Sequence, residues 1–195
     1  MVPCSRRFSS HAVYRSLRTL EESAPVVLVS IAHSWPAQFE TIKQQLLTVF
    51  PVENCTIEHI GSTAVRGMAA KPIIDIMLGA LDLPAIEAKV DRLAVLGFHY
   101  VPEFNAAMPV RRYFVLPASR PRTAHLHAVV QGDAFWRDHL LFRDLLRSDS
   151  GLASVYAALK YDLAKKFAND SFAYAAAKTS FVQAALNHAR MPAKQ

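Results

Sequence analysis

The residues best equipped for chemistry lie between positions 57 and 76, in the run Ile57-Glu58-His59-Ile60-Gly61-Ser62-Thr63 and onward through Lys71 to Asp75 and Ile76. Gly61 has no Cβ, so a ligand can approach its backbone closely. Ser62 and Thr63 offer hydroxyls and N–H groups where a helix would begin, and such N–H groups bind phosphate. Lys71 adds a point charge. Asp75 stands inside the otherwise apolar run Ile73 to Leu78. An isolated ionised carboxylate there is costly, so it calls for a cation, a metal or several donors nearby. Further on, His125 and His127 stand at i and i+2, which puts both imidazoles on one side of a strand. With Asp75 they would make a mixed nitrogen and oxygen site, better suited to zinc, manganese or iron than to magnesium. They could equally bind phosphate, or one could act as a general base near neutral pH. Arg111, Arg112, Arg120 and Arg122 form an acid-free cluster whose guanidinium forks match phosphate oxygens.

Each of these residues also has a structural reading. Asp75 could pair with Lys71 or an arginine. His125 and His127 could be satisfied strand histidines, His59 a packed or hydrogen-bonded residue beside the turn, and the arginines a solvated loop. Tyr156 with Lys160 and Tyr174 with Lys178 are each spaced by four, so each pair shares one helix face, turned either to packing or to a cleft.

The elements that must position these groups follow from periodicity. Val26 to Val29 reads as a short buried strand. Ser34 is placed to cap a helix whose stripe is Trp35, Phe39, Ile42, Leu46 and Val49, ending at Pro51. Thr56 to Ile60 reads as a strand, Gly61 to Thr63 as a turn, and Pro72 to Leu78 as a strand buried on both faces. Asp82 caps a helix with Ile86, Val90 and Leu93 inward, stopped at Gly97. Phe98 to Val101, Tyr113 to Leu116 and His125 to Gln131 read as three more strands. From Asp133 the pattern is helical: Phe135, His139, Phe142 and Leu146, then Leu152, Val155, Leu159 and Leu163, then a third helix through Phe181.

Composition bounds the classes. The chain has 195 residues, 52% of them hydrophobic and 19% charged, which suits one folded domain with a sizeable core and excludes a wholly disordered chain. Two cysteines are too few for a disulfide scaffold or a cysteine-rich metal site, and fit a reducing, cytoplasmic setting. No apolar run approaches a membrane span. The net charge is +6, but residues 1–20 carry four arginines and no acid, so the excess does not describe a broad nucleic-acid-binding face. Residues 1–24 read as a disordered N-terminal extension, although Arg-rich, acid-poor starts also occur in organelle transit peptides. Residues 25–190 read as a single domain, helical from about 133.

In order along the chain, Ser34-Trp35-Pro36 with Phe39-Glu40, His59 to Thr63, Ala70 to Ile76, His125-Leu126-His127, Phe142 to Arg147, Tyr156 with Leu159-Lys160, and Tyr174 with Lys178 resemble the GrpB-type (UPF0157) proteins. The likeness covers nearly all of residues 26–185. That family is grouped by fold with the nucleotidyltransferase superfamily. The resemblance therefore implies an α/β (α+β) domain, a nucleotidyltransferase-like mixed β-sheet flanked by helices, with a C-terminal helical segment. The same domain occurs fused to dephospho-CoA kinase, an association with nucleotide or CoA metabolism. In the superfamily a Gly-Ser turn holds a nucleotide triphosphate, and carboxylates at i and i+2 of the next strand, with a third from a later strand, hold two magnesium ions. Gly61 and Ser62 match the turn and Asp75 the first carboxylate. Met77 stands in the second carboxylate's place, and a thioether offers magnesium nothing. His125 and His127 stand where the third carboxylate would be.

Three functions are consistent with this reading. The first is nucleotidyl or phosphoryl transfer to an unidentified acceptor. In it Gly61, Ser62 and Thr63 cradle phosphate, and Asp75, His125 and His127 serve as catalytic and metal-binding residues for Mg, Mn or Zn. Lys71, Arg111, Arg112 and Arg122 neutralise charge. The second is a degenerate module binding a nucleotide, a CoA-like ligand or another phosphate-bearing small molecule. The third and weakest is an RNA-binding domain, since no aromatic stacking platform interleaves with the arginines.

Overall fold

A computed structural model describes residues 25–30 and 33–191. The expectation for residues 1–24 lies outside the described residues. The element order is α1 (Trp35–Leu47), β1 (Cys55–Ile60), a 3₁₀ turn (Ser62–Ala64), β2 (Ile74–Ala80), α2 (Leu83–Glu87), α3 (Val90–Val95), β3 (His99–Tyr100), a second 3₁₀ turn (Pro102–Phe104), β4 (Arg111–Leu116), β5 (Ala124–Val130), α4 (Ala134–Ser148), α5 (Ser150–Lys166), α6 (Ser171–Ala176) and α7 (Thr179–Arg190). The expected mixed α/β architecture is present. The five strands form one sheet in the order β1-β2-β5-β4-β3. The central pair β2 and β5 runs parallel, and the other pairs are antiparallel. Among the described residues no helix is long and apolar enough to cross a membrane.

The alternation of strand side chains divides the molecule. One face carries Ile57, Ile76, Leu78, Phe114 and Leu126, and packs with Leu46 of α1, Ile86 of α2 and Leu93 of α3 into the main core. Register puts Ile60, Asp75, His125 and Val115 in one row of the opposite face, and Glu58, Met77, His127 and Tyr113 in the next. Trp136 of α4 closes one end of that face over Ile60, Met77 and Val129. Gly79 makes this possible, because a Cβ there would lie 2.7 Å from the Trp136 ring.

Several sequence expectations change. Val26 to Val29 is not a strand: Val29 makes one isolated bridge to Ala70, and Val27 is exposed. Ser34 makes no side-chain cap bond to α1; its hydroxyl instead accepts from Gln38 Nε2 at 3.3 Å. The helix expected after Asp82 is two short helices broken at Lys89. The third C-terminal helix is also two, divided near Lys178. In α5 the inward face runs through Tyr156 and Lys160, while Val155 is exposed. The cap at Asp82 is as expected, accepting from Ala85 N at 2.7 Å, and Asp133, where the helical pattern was expected to begin, caps α4 by accepting from Trp136 N at 2.7 Å.

Candidate functional site

The turn between β1 and β2 is shaped around Asp75. Gly61 has φ +69°, and a Cβ there would come within 2.5 Å of Asp75 Oδ2. The glycine therefore lets the backbone lie against the carboxylate. The turn that follows is a three-residue 3₁₀ segment rather than the start of a helix, so no macrodipole stands behind it. Thr63 is buried. Its hydroxyl meets His59 Nε2 at 2.9 Å and so braces the turn. His59 stacks on Phe39 at 4.6 Å, and burial lowers its pKa to about 4. Ser62 is held from the helical side: Lys160 Nζ donates to its hydroxyl at 3.1 Å and also to Ala69 O, and Tyr156 hydrogen-bonds it as well.

Asp75 and the two strand histidines do converge. His125 Nδ1 lies 3.3 Å from Asp75 Oδ1, and His127 Nε2 lies 3.8 Å from the same oxygen. The second distance exceeds a formed hydrogen bond, so that attraction is electrostatic. Burial alone would raise the Asp75 pKa, but the two imidazoles outweigh it and hold the carboxyl far below its ordinary range. His127 Nδ1 lies 2.9 Å from Arg111 Nη1. A guanidinium only donates, so this nitrogen accepts, and the neutral ring carries its proton on Nε2, toward Asp75. Burial first, and Arg111 besides, lower the His127 pKa to about 3.

These residues do not fit a two-magnesium site. Met77, in the place expected for a second carboxylate, is fully buried in an apolar cluster and offers magnesium no oxygen. A metal on His127 Nε2 would have to displace the proton that Arg111 fixes there. Among the described residues no group of three His, Cys, Asp or Glu side chains is arranged to hold a metal ion.

A cavity of about 520 Å³ opens over this cluster, and its polar wall is cationic. Lys71, Arg111 and Lys178 all line it, with Asp75 as the single carboxylate among the described residues. Lys178 Nζ lies 4.3 Å and Lys71 Nζ 5.8 Å from the centroid of the Tyr174 ring, so one ring carries two ammonium groups. Burial, and then Lys71, lower the Lys178 pKa to about 8. Burial likewise, with Lys178, lowers Lys160 to about 7, and burial raises Tyr174 to about 12. Arg111 stacks over Tyr113 at 4.5 Å.

The expected arginine clamp is only partly assembled. Arg112 points to the opposite face of β4, where its Nε bonds Glu87 at 2.5 Å; strand alternation separates it from Arg111. Arg122 does not line the cavity, and lies just before β5 rather than over the sheet. Tyr174 and Lys178 take the places that those arginines were expected to fill. Their spacing by four was a visible signal.

The fold and the site together define an α/β protein with a five-stranded mixed sheet and a cationic cleft over Asp75. The family model described as GrpB protein matches residues 25–188, and the chain belongs to that family. It is 34% identical over 165 residues to glutamate-rich protein GrpB of Alkalihalophilus pseudofirmus, a match covering 83% of this chain and 94% of the relative. It is 33% identical over 165 residues to the UPF0157 protein YqkA of Bacillus subtilis, covering 85% of this chain but only 47% of that longer protein. The crystal structure of GrpB from Enterococcus faecalis superposes with a TM-score of 0.75 at 30% identity, over 84% of this chain and 96% of that one.

Proposed function

We propose that the chain binds a phosphate-bearing small molecule, of which nucleotides are the first class to test, in the cleft between the sheet and the C-terminal helices. The observation that carries this reading is the convergence of Lys71, Arg111 and Lys178 on a cavity holding one carboxylate. Three cations facing one anion leave a surplus positive charge in a partly desolvated space, where charge-assisted bonds to phosphate oxygens are strong. Ser62 and the Gly61 backbone border the same space. Asp75 serves here to hold the two imidazoles and to orient the phosphate among the cations.

Calorimetric titration with ATP, ADP and inorganic phosphate, with and without magnesium or manganese, tests this reading. Binding is expected without added metal. Asp75→Asn is expected to tighten phosphate binding by severalfold, because it removes the one negative charge from the cleft. Binding that requires manganese, with turnover lost in Asp75→Asn, would overturn this reading in favour of metal-dependent nucleotidyl or phosphoryl transfer.

A further inference from the structure

A second cavity, of about 470 Å³, meets the first at Gly61, Ser62, Asp75 and Lys178. Away from that junction its lining includes an apolar wall of Phe135, Phe142, Leu146, Val182 and Leu186, contributed by α4 and α7, alongside Asp138, Arg143 and Gln183. The sheet does not supply this wall; two helices that cross the cleft do. Phe142 stacks edge-on against Tyr156 at 5.2 Å, which sets the back of the chamber beside the Ser62 turn. The ammonium of Lys178 thus borders both chambers, with the cationic cluster on one side and the apolar wall of α4 and α7 within reach on the other.

We infer that the ligand of the cleft is amphipathic, an organic phosphate whose anionic group sits among Lys71, Arg111 and Lys178 and whose aryl or alkyl body lies in the chamber between α4 and α7. This rests on the phosphate reading above and extends it to the part of the ligand that is not phosphate. The continuity of the two cavities through Lys178 carries the argument. A compact polar anion would leave the second chamber's apolar wall wet, whereas an attached apolar group would remove that wall from water and add affinity without a new charge. Ionic attraction would then set where the head lies, and apolar burial would discriminate among phosphate esters.

The test compares inorganic phosphate with phenyl phosphate on the full chain, by calorimetry. Phenyl phosphate is expected to bind about tenfold tighter, through burial of its ring. Val182 is half-buried on the chamber wall and has no part in the cationic site, so two variants there separate the halves. Val182→Trp fills the chamber and Val182→Asn makes it polar without adding a charge. Each is expected to abolish the gain from the phenyl group while leaving the affinity for inorganic phosphate within about twofold. Equal affinities for the two ligands in the natural chain would overturn the inference and leave the phosphate reading standing. So would a phenyl gain that survives both variants, since the ring would then lie elsewhere. Failure of both ligands to bind would overturn the inference together with the reading on which it rests.

Discussion

Gly61 and Asp75 are interlocked. The glycine's positive φ and its missing Cβ both serve one contact, because the space a Cβ would occupy is taken by Asp75 Oδ2. Gly61→Ala therefore meets two penalties, a left-handed backbone conformation and a clash with a carboxylate fixed on a central strand. The expected cost is about 1–3 kcal/mol, read as a lower denaturation midpoint with an unchanged slope. Loss of phosphate binding should accompany it, since the displaced carboxylate would disturb His125 and, through His127, Arg111. An unchanged midpoint would show that the turn relaxes freely and is not built around Asp75. Asp75 itself illustrates how a charge is kept in an apolar strand. Burial works against ionisation, and the two imidazoles turned toward the carboxylate more than offset it.

At the scale of elements, the site is a sheet-borne cluster braced by helices. Arg143 of α4 donates to Glu58 Oε2 at 2.6 Å and to His59 O at 3.1 Å, and Arg147 donates to Ala64 O at 2.9 Å, so α4 grips both ends of the Gly61 turn. On the other side His59 joins the turn to α1 through Thr63 and Phe39. Burial keeps His59 neutral to about pH 4 and His127 to about pH 3, while in the unfolded chain both protonate near pH 6.5. Below pH 6.5 the unfolded state therefore binds more protons than the folded one. Stability should fall as the pH drops from about 6.5 to 4, and a thermal-unfolding series over that range checks it. His59→Gln should flatten part of this dependence; an identical slope would mean His59 titrates normally.

Much of this element-level order was legible in the residues. Asp82 announced its helix by capping chemistry, and the i, i+2 spacing of His125 and His127 announced a shared face. Other features were not legible, for physical reasons. Val26 to Val29 has a strand's composition, but pairing depends on a partner edge, and among the described residues it is reduced to an isolated bridge between Val29 and Ala70. A hydrophobic stripe through Val155 is the natural reading of α5. Yet the face that turns inward carries Tyr156 and Lys160, because the lysine finds Ser62 and Ala69 O to donate to. Arg111 and Arg112 are adjacent and chemically alike, so only the strand register tells which of them reaches the cleft.

Over the whole molecule, the carboxylate and the imidazoles come from the sheet, while Lys178, Tyr174 and Lys160 come from the C-terminal helices, so the cleft exists only where the two halves meet. This division has a consequence for pH. Lys178 is desolvated at that junction and crowded by Lys71, which lowers its pKa to about 8. It is charged at pH 7 and mostly neutral at pH 9, whereas a phosphate ester is fully ionised throughout that window. Affinity for phenyl phosphate or a nucleotide should therefore fall as the pH rises through 8, by up to about tenfold between pH 7 and 9, the linkage of one proton. Lys178→Arg should keep its charge across the window and abolish the fall, since a guanidinium does not titrate there. Calorimetric titrations of both proteins at pH 7, 8 and 9 make the comparison. If the natural chain and Lys178→Arg lose affinity in parallel, the titrating group lies elsewhere, and Lys178 does not hold the phosphate.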